Sequence, residues 1–148
     1  METVKQILEK KDQKVWSINP KAKVFKALEL MAEKEIGALV VVDNNEVVGM
    51  FSERDYARKV ILLGKSSKEI PVSEIMSEKV IYVEPEQSVE ECMALMTHGK
   101  IRHLPVIDGG QLIGMVSIGD IVKALIGEKE FIIDQLIHYI TGTASVEQ

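Results

Sequence analysis

Two serine–aspartate pairs at one spacing, Ser52-x-x-Asp55 and Ser117-x-x-Asp120, are the first candidates for chemistry. The spacing is that of a helix capping box, in which the serine accepts from a backbone N–H of the first turn and the carboxylate returns the bond. A carboxylate in that turn can also accept from both hydroxyls of a ribose, while the turn's free N–H groups favour a phosphate. The two roles are compatible. Arg102-His103 stands before the apolar run LPVID, where two polar residues are costly unless they face a cleft or solvent. A solvated strand end is the plain reading. Phosphate binding is the other, since arginine offers a charged fork and histidine a donor whose charge depends on pH. Arg54, Arg58 and Lys59 follow the first capping box. Arg54 is the candidate anion contact because it adjoins Asp55; Arg58 and Lys59 read as a solvated helix face.

Other chemistries lack their residues. Cys92 is the sole cysteine, which excludes an intramolecular disulfide framework and a multi-cysteine zinc site. It lies on an apolar helical stripe, as an inert core thiol would. His98 and His138 have no partners at metal-ligand spacing. No GxGxxG or GxxxxGK[ST] loop occurs, and no acid/base pair is poised for hydrolysis. The 148 residues suffice for a real core. With a net charge of −5, no segment is basic enough for a nucleic-acid footprint. The apolar runs fall short of the ~20 residues that cross a bilayer. The N-terminus METVKQILEKKDQK is not a secretory signal. The expectation is a cytoplasmic, non-enzymatic protein with neither nucleic acid nor membrane as partner.

The elements that must position these residues come in two copies. Laid over each other at one constant offset, Pro20 meets Pro85, and Val24, Leu30, Met31 and Ile36 meet Val89, Leu95, Met96 and Ile101. The match runs on through Leu39/Leu104, Val41/Val106, Asp43/Asp108, Gly49-Met50/Gly114-Met115, Ser52/Ser117 and Asp55/Asp120. Such self-similarity marks an internal duplication. Upstream, Val4-x-x-Ile7-Leu8 echoes Val72-x-x-Ile75-Met76. VWSI (15–18) and VIYV (80–83) are β-prone runs, each soon ended by a proline. Val24, Ala27, Leu28, Leu30 and Met31 follow a helical stripe, as do Val89, Cys92, Met93, Leu95 and Met96. LVVVD (39–43) and LPVID (104–108) read as buried strands. They turn at Asn44-Asn45 and Gly109-Gly110 into VVGMFS (47–52) and LIGMVS (112–117), and an apolar helix follows each. The fold class is α+β: two β-α-β-β-α units, 1–66 and 67–127, plus a C-terminal amphipathic helix and tail, 128–148. In that helix Phe131, Ile132, Leu136, Tyr139 and Ile140 share a face, with Gly142 as the stop. Packing against its own domain or a second chain is expected, since its polar face is acidic rather than membrane-seeking.

The unit is similar to the cystathionine β-synthase (CBS) domain. IRHLPVIDGGQLIGMVSIGDIV (101–122) is the closer match; IGALVVVDNNEVVGMFSERDYA (36–57) agrees at the strands, glycine, serine and aspartate but lacks the proline after leucine. The resemblance implies a pair of CBS units packed about a pseudo-twofold axis, commonly joined into a homodimer, with clefts that bind adenosine compounds and regulate a partner. It also implies ribose recognition at the two aspartates and phosphate contacts at the Arg102-His103 position. The chain leaves no room for an attached enzyme, so a free-standing pair is expected.

If a cleft takes its base from one unit and its ribose carboxylate from the other, the two clefts differ. One combines Ser17, Ile36, Gly37 and Ala38 around adenine with Arg102, His103, Ser117 and Asp120 around ribose and phosphate; small and apolar neighbours give the ring space and a dry face. The other pairs Tyr82 and Arg102 with Asp55 and Arg54. The first is expected to bind an adenine nucleotide, AMP before ATP, NAD or S-adenosylmethionine, more tightly than the second. The alternative is an interaction or scaffold dimer with vestigial clefts.

Overall fold

Both hairpins form where the chain carries residues that tolerate positive φ. Asn44 and Asn45 lie at 49° and 66°, Gly109 and Gly110 at 57° and 81°, the backbone twist of a two-residue hairpin turn. The first turn joins β2 (Ala38–Asp43) to β3 (Glu46–Ser52), antiparallel, with Val40 opposite Met50 and a bulge between Val41 and Val42. The second joins β4 (His103–Asp108) to β5 (Gln111–Ser117). The computed structural model describes residues 2–11 and 14–141, apart from the side chains of Glu128, Phe131 and Thr141.

Helical stripes become α2 (Val24–Lys34) and α4 (Val89–Gly99), which bury Val24, Ala27 and Met31 in one repeat and Val89, Cys92 and Met96 in the other. Ser88 caps α4 through a reciprocal box with Glu91. Around α2, β2 and β3, the side chains of Leu39, Val41, Phe51, Val60, Val72 and Ile75 close one core. Burying each of the larger ones contributes about 2 kcal/mol.

The chain groups into two compact units that do not follow the repeats. One, the terminal unit, gathers Met1–Asp12, Val83–Leu104 and Met115–Gln148; the other, the central unit, gathers Gln13–Tyr82 and Pro105–Gly114. Backbone hydrogen bonds explain the grouping. In the terminal unit Val4 N–H donates to Gln87 O, Lys5 N–H to Pro85 O and Val89 N–H to Glu2 O, at 2.9, 2.9 and 3.1 Å. In the central unit the corresponding residues repeat the pattern: Val72 N–H to Ala22 O, Ser73 N–H to Pro20 O and Val24 N–H to Ile70 O, at 2.8, 2.9 and 2.9 Å. The leader before the first repeat is therefore bound by the second repeat, and the segment between repeats by the first. The leaders differ in form: α1 (Val4–Lys11) is a two-turn helix, whereas Val72–Glu74 is one 3-10 turn.

Three local expectations change. VWSI narrows to β1 (Ser17–Ile18), which pairs parallel to Val40–Val41. VIYV forms no strand: residues 80–82 are unpaired and only Val83 enters a bridge, the chain passing from one unit's residues to the other's at this point. The helix after Ser52 is short, α3 (Glu53–Tyr56), and runs into a π segment at Ala57–Ile61, marked by Leu62 N–H donating to Ala57 O.

The C-terminal helix is not a separate element. α5 runs unbroken from Ile118 to Thr141, because an interior glycine such as Gly127 costs a helix only about 1 kcal/mol and does not stop it. Ile121 is buried, but Ile132, Leu136, Tyr139 and Ile140 are exposed, so this face does not pack on its own domain. The Phe131 side chain and Gly142 lie outside the described residues. No helix among the described residues is long and apolar enough to cross a membrane.

Candidate functional site

Each capping box closes as its spacing predicts. Ser117 N–H donates to Asp120 Oδ2 at 2.9 Å and Asp120 N–H returns to Ser117 Oγ at 3.2 Å. In the first repeat Ser52 N–H and Oγ–H both donate to Asp55 Oδ2, at 3.0 and 3.1 Å, and Asp55 N–H donates to Ser52 Oγ at 3.2 Å. A second bond ties each box to the residue before its strand. Ile118 N–H donates to Arg102 O at 2.8 Å, and Glu53 N–H to Gly37 O at 3.1 Å. The basic dipeptide is thereby held beside Ser117 and Asp120, while the small residues Gly37 and Ala38 are held beside Ser52 and Asp55.

In the terminal unit the structure adds a residue that the sequence did not single out. Lys11, the last residue of α1, donates from Nζ to Asp120 Oδ2 and to Met115 O, both at 2.9 Å. The two side chains are 24% and 20% exposed, so water screens the pair only in part. Lys11, Arg102, His103, Ser117 and Asp120 thus form one polar cluster around the end of β5 and the first turn of α5. Burial lowers the His103 pKa below its ordinary 6.5, Lys11 and Arg102 lower it further, and Asp120 opposes them. His103 is therefore neutral at pH 7. Burial pushes the Asp120 pKa up, but the Ser117 N–H and Lys11 outweigh it and hold the carboxyl below its ordinary value.

The central unit holds the other expected residues. Asp55 meets Lys59, four residues along, at 3.3 Å, and Lys59 Nζ also donates to Ile75 O at 3.2 Å. Lys59 is thus no free solvated group. Arg54 and Ser17 are exposed, Ile36 is half-buried against the central core, and Ala38 is buried at the start of β2. Burial, with Glu91 adding to it, pushes the Cys92 thiol up to about 11, the state of an unreactive core cysteine. Among the described residues no group of three or more histidine, cysteine or carboxylate side chains could hold a metal.

Lys11 escaped sequence reading because its leader aligns with the repeat that follows it, whereas its partner lies in the other repeat. No local signal connects residues 109 positions apart.

Comparison with known proteins agrees with this architecture. The CBS domain family matches twice, at residues 4–61 and 72–127. The mitochondrial CBS domain-containing protein CBSX3 of Arabidopsis thaliana is 46% identical over 124 residues, covering 80% of this chain and 60% of its own length. YhcV, a CBS domain-containing protein of Bacillus subtilis, is 34% identical over 107 residues, covering 72% of this chain and 76% of its own. Among solved structures, a CBS-domain protein of Burkholderia ambifaria named for signal transduction superposes with a TM-score of 0.82 at 53% identity, covering 85% of this chain and 95% of its own. The CBS domain pair of protein MJ0100, solved with 5′-methylthioadenosine and S-adenosyl-L-methionine, shares the fold at a TM-score of 0.76 and 23% identity, covering 86% of this chain and 98% of its own. With both repeats matched across most of its length, the chain belongs to the CBS-domain family.

Proposed function

We propose that this CBS pair is a regulatory module that binds an adenine nucleotide, AMP before ATP, NAD or S-adenosylmethionine, and passes the binding event to a partner protein. The observation that carries this reading is the terminal-unit cluster. It combines a helix-capping carboxylate suited to a ribose diol with Arg102, Lys11 and neutral His103 within the same few turns. Donors of positive charge beside a helix N-terminus favour an anion. In the central unit, Ser52 and Asp55 offer a second diol-type carboxylate with Arg54 alongside. Ser17, Ile36, Gly37 and Ala38 suit contacts to a purine ring by their size and apolarity. MJ0100 nominates adenosyl compounds for testing, at the level of a shared fold. Ligand can regulate only by favouring one conformation over another.

A thermal-shift screen with AMP, ATP, NAD, S-adenosylmethionine and adenosine tests the reading. A ligand at ~100 times its dissociation constant adds about 2.7 kcal/mol of stability. No shift with any of the five overturns it.

The exposed face of α5 favours a second role, self-association. Leu136 and Ile132 are more than half exposed, and continuous apolar surface of this kind marks an interaction site. A hexameric CBS-CP12 protein among the structural neighbours superposes with a TM-score of 0.74 at 34% identity. A homodimer joined through α5 is the simplest use of that surface.

A further inference from the structure

Resting on the adenine-nucleotide reading above, we propose that Lys11 is a place-holder on Asp120 which moves to the ligand's phosphate, making the terminal-unit site selective for phosphorylated adenosines and coupling their binding to helix α1. The geometry carries the inference in three steps. First, Asp120 is already occupied: Oδ2 accepts from the Ser117 N–H and from Lys11 Nζ, and among the described residues no bond reaches Oδ1. A vicinal diol engages a carboxylate best through both oxygens, so a ribose must displace Lys11 or share Oδ2 with it. Second, Lys11 is long, flexible and partly exposed, and among the described residues it bonds to two acceptors, Asp120 and Met115 O. An ammonium driven off a carboxylate next to Arg102 needs a new anion, and a phosphate provides one. A neutral adenosine offers nothing in exchange, and a sulfonium compound brings a like charge.

Third, the device is present in one repeat only. In the central unit the equivalent carbonyl, Met50 O, accepts from the backbone N–H of Ser77 at 2.8 Å rather than from a side chain. The cation on Asp55 is Lys59, which sits four residues along the same chain segment and also holds Ile75 O. Displacing Lys59 would also break its bond to Ile75 O, but that lysine comes from the segment after the box and not from a leader helix. Displacing Lys11 loosens the C-terminal end of α1; among the described residues the backbone bonds that tie this leader to other elements lie at its beginning, at residues 2–5.

The test compares AMP with adenosine by calorimetry on the full chain and on its Lys11→Ala and Lys11→Arg variants. The wild type should prefer AMP. In Lys11→Ala, adenosine should bind several-fold more tightly because its competitor is gone, and AMP more weakly. The AMP-to-adenosine affinity ratio should then fall by about tenfold or more, the worth of one charge-assisted contact. Lys11→Arg should restore most of the ratio. A purely structural role for Lys11 would move both ligands together, so an unchanged ratio in Lys11→Ala overturns the proposal while leaving the adenylate reading intact. Should no form bind either compound, the adenylate reading falls and takes this inference with it.

Discussion

Asp55 and Asp120 hold the same place in their repeats and the same capping geometry, yet each is neutralised by a lysine of different origin. Lys59 reaches Asp55 from four residues along at 3.3 Å; Lys11 reaches Asp120 from α1 at 2.9 Å. One duplicated turn thus supplies two chemically distinct sites, and the differences below follow from it.

Asp120→Asn should weaken AMP binding by roughly ten- to a hundredfold, because a charged acceptor of hydrogen bonds is worth about 1.5–3 kcal/mol. Asp55→Asn should cost less, since no arginine–histidine pair stands beside it. Both variants keep a side-chain oxygen that can accept from the serine N–H, so the capping turn should still form. Titration calorimetry checks the order; equal losses at both positions would contradict it.

His103 makes stability depend on acid. Its folded pKa lies below the unfolded value of 6.5, so the unfolded chain takes up the proton first. Stability is complete above pH 6.5 and declines as the pH falls from there through the folded value. Asp120, whose pKa is also lowered, loses its contribution in a separate and more acidic window, below its ordinary 3.8. His103→Gln should flatten the first decline and spare the second, as followed by urea unfolding across pH. Removing Lys11 should raise the His103 pKa in an NMR titration without restoring the ordinary value, because burial remains the larger cause.

Gly49 and Gly127 should respond oppositely to alanine. A Cβ at Gly49 would lie 2.7 Å from Met76 Sδ and 2.9 Å from the Ser77 carbonyl, which pairs with Met50 across a backbone bridge. The backbone must yield, at about 1–3 kcal/mol. At Gly127, inside α5, nothing lies within 4 Å, and alanine should stabilise by about 0.5–1 kcal/mol. Denaturant midpoints of the two variants should move in opposite directions.

Leu136→Glu should reduce the mass measured by light scattering toward that of one chain while leaving the unfolding midpoint of the single chain nearly unchanged. Leu136 is 54% exposed, so its removal empties no core. An unaltered mass would place any assembly elsewhere.

Much of this molecule was legible in its residues. The duplication, both hairpin turns, the buried stripes of α2 and α4 and both capping boxes follow from period, φ tolerance and hydrogen-bond chemistry acting over a few residues. The unbroken course of α5 did not, because a glycine weakens a helix without ending it. Nor did the loss of the 80–82 strand, since a β-prone run pairs only where a neighbour's edge is offered.

The sequence by itself determined which residues are able to bind sugar and anion. Tertiary structure decided which cation serves which carboxylate. Short-range rules determine how a turn closes, but the exchange of leaders between repeats brings Lys11 to Asp120 across 109 positions, a choice fixed by the bonds of Glu2–Lys5 to residues 85–89 and by the burial of Val4 and Ile7.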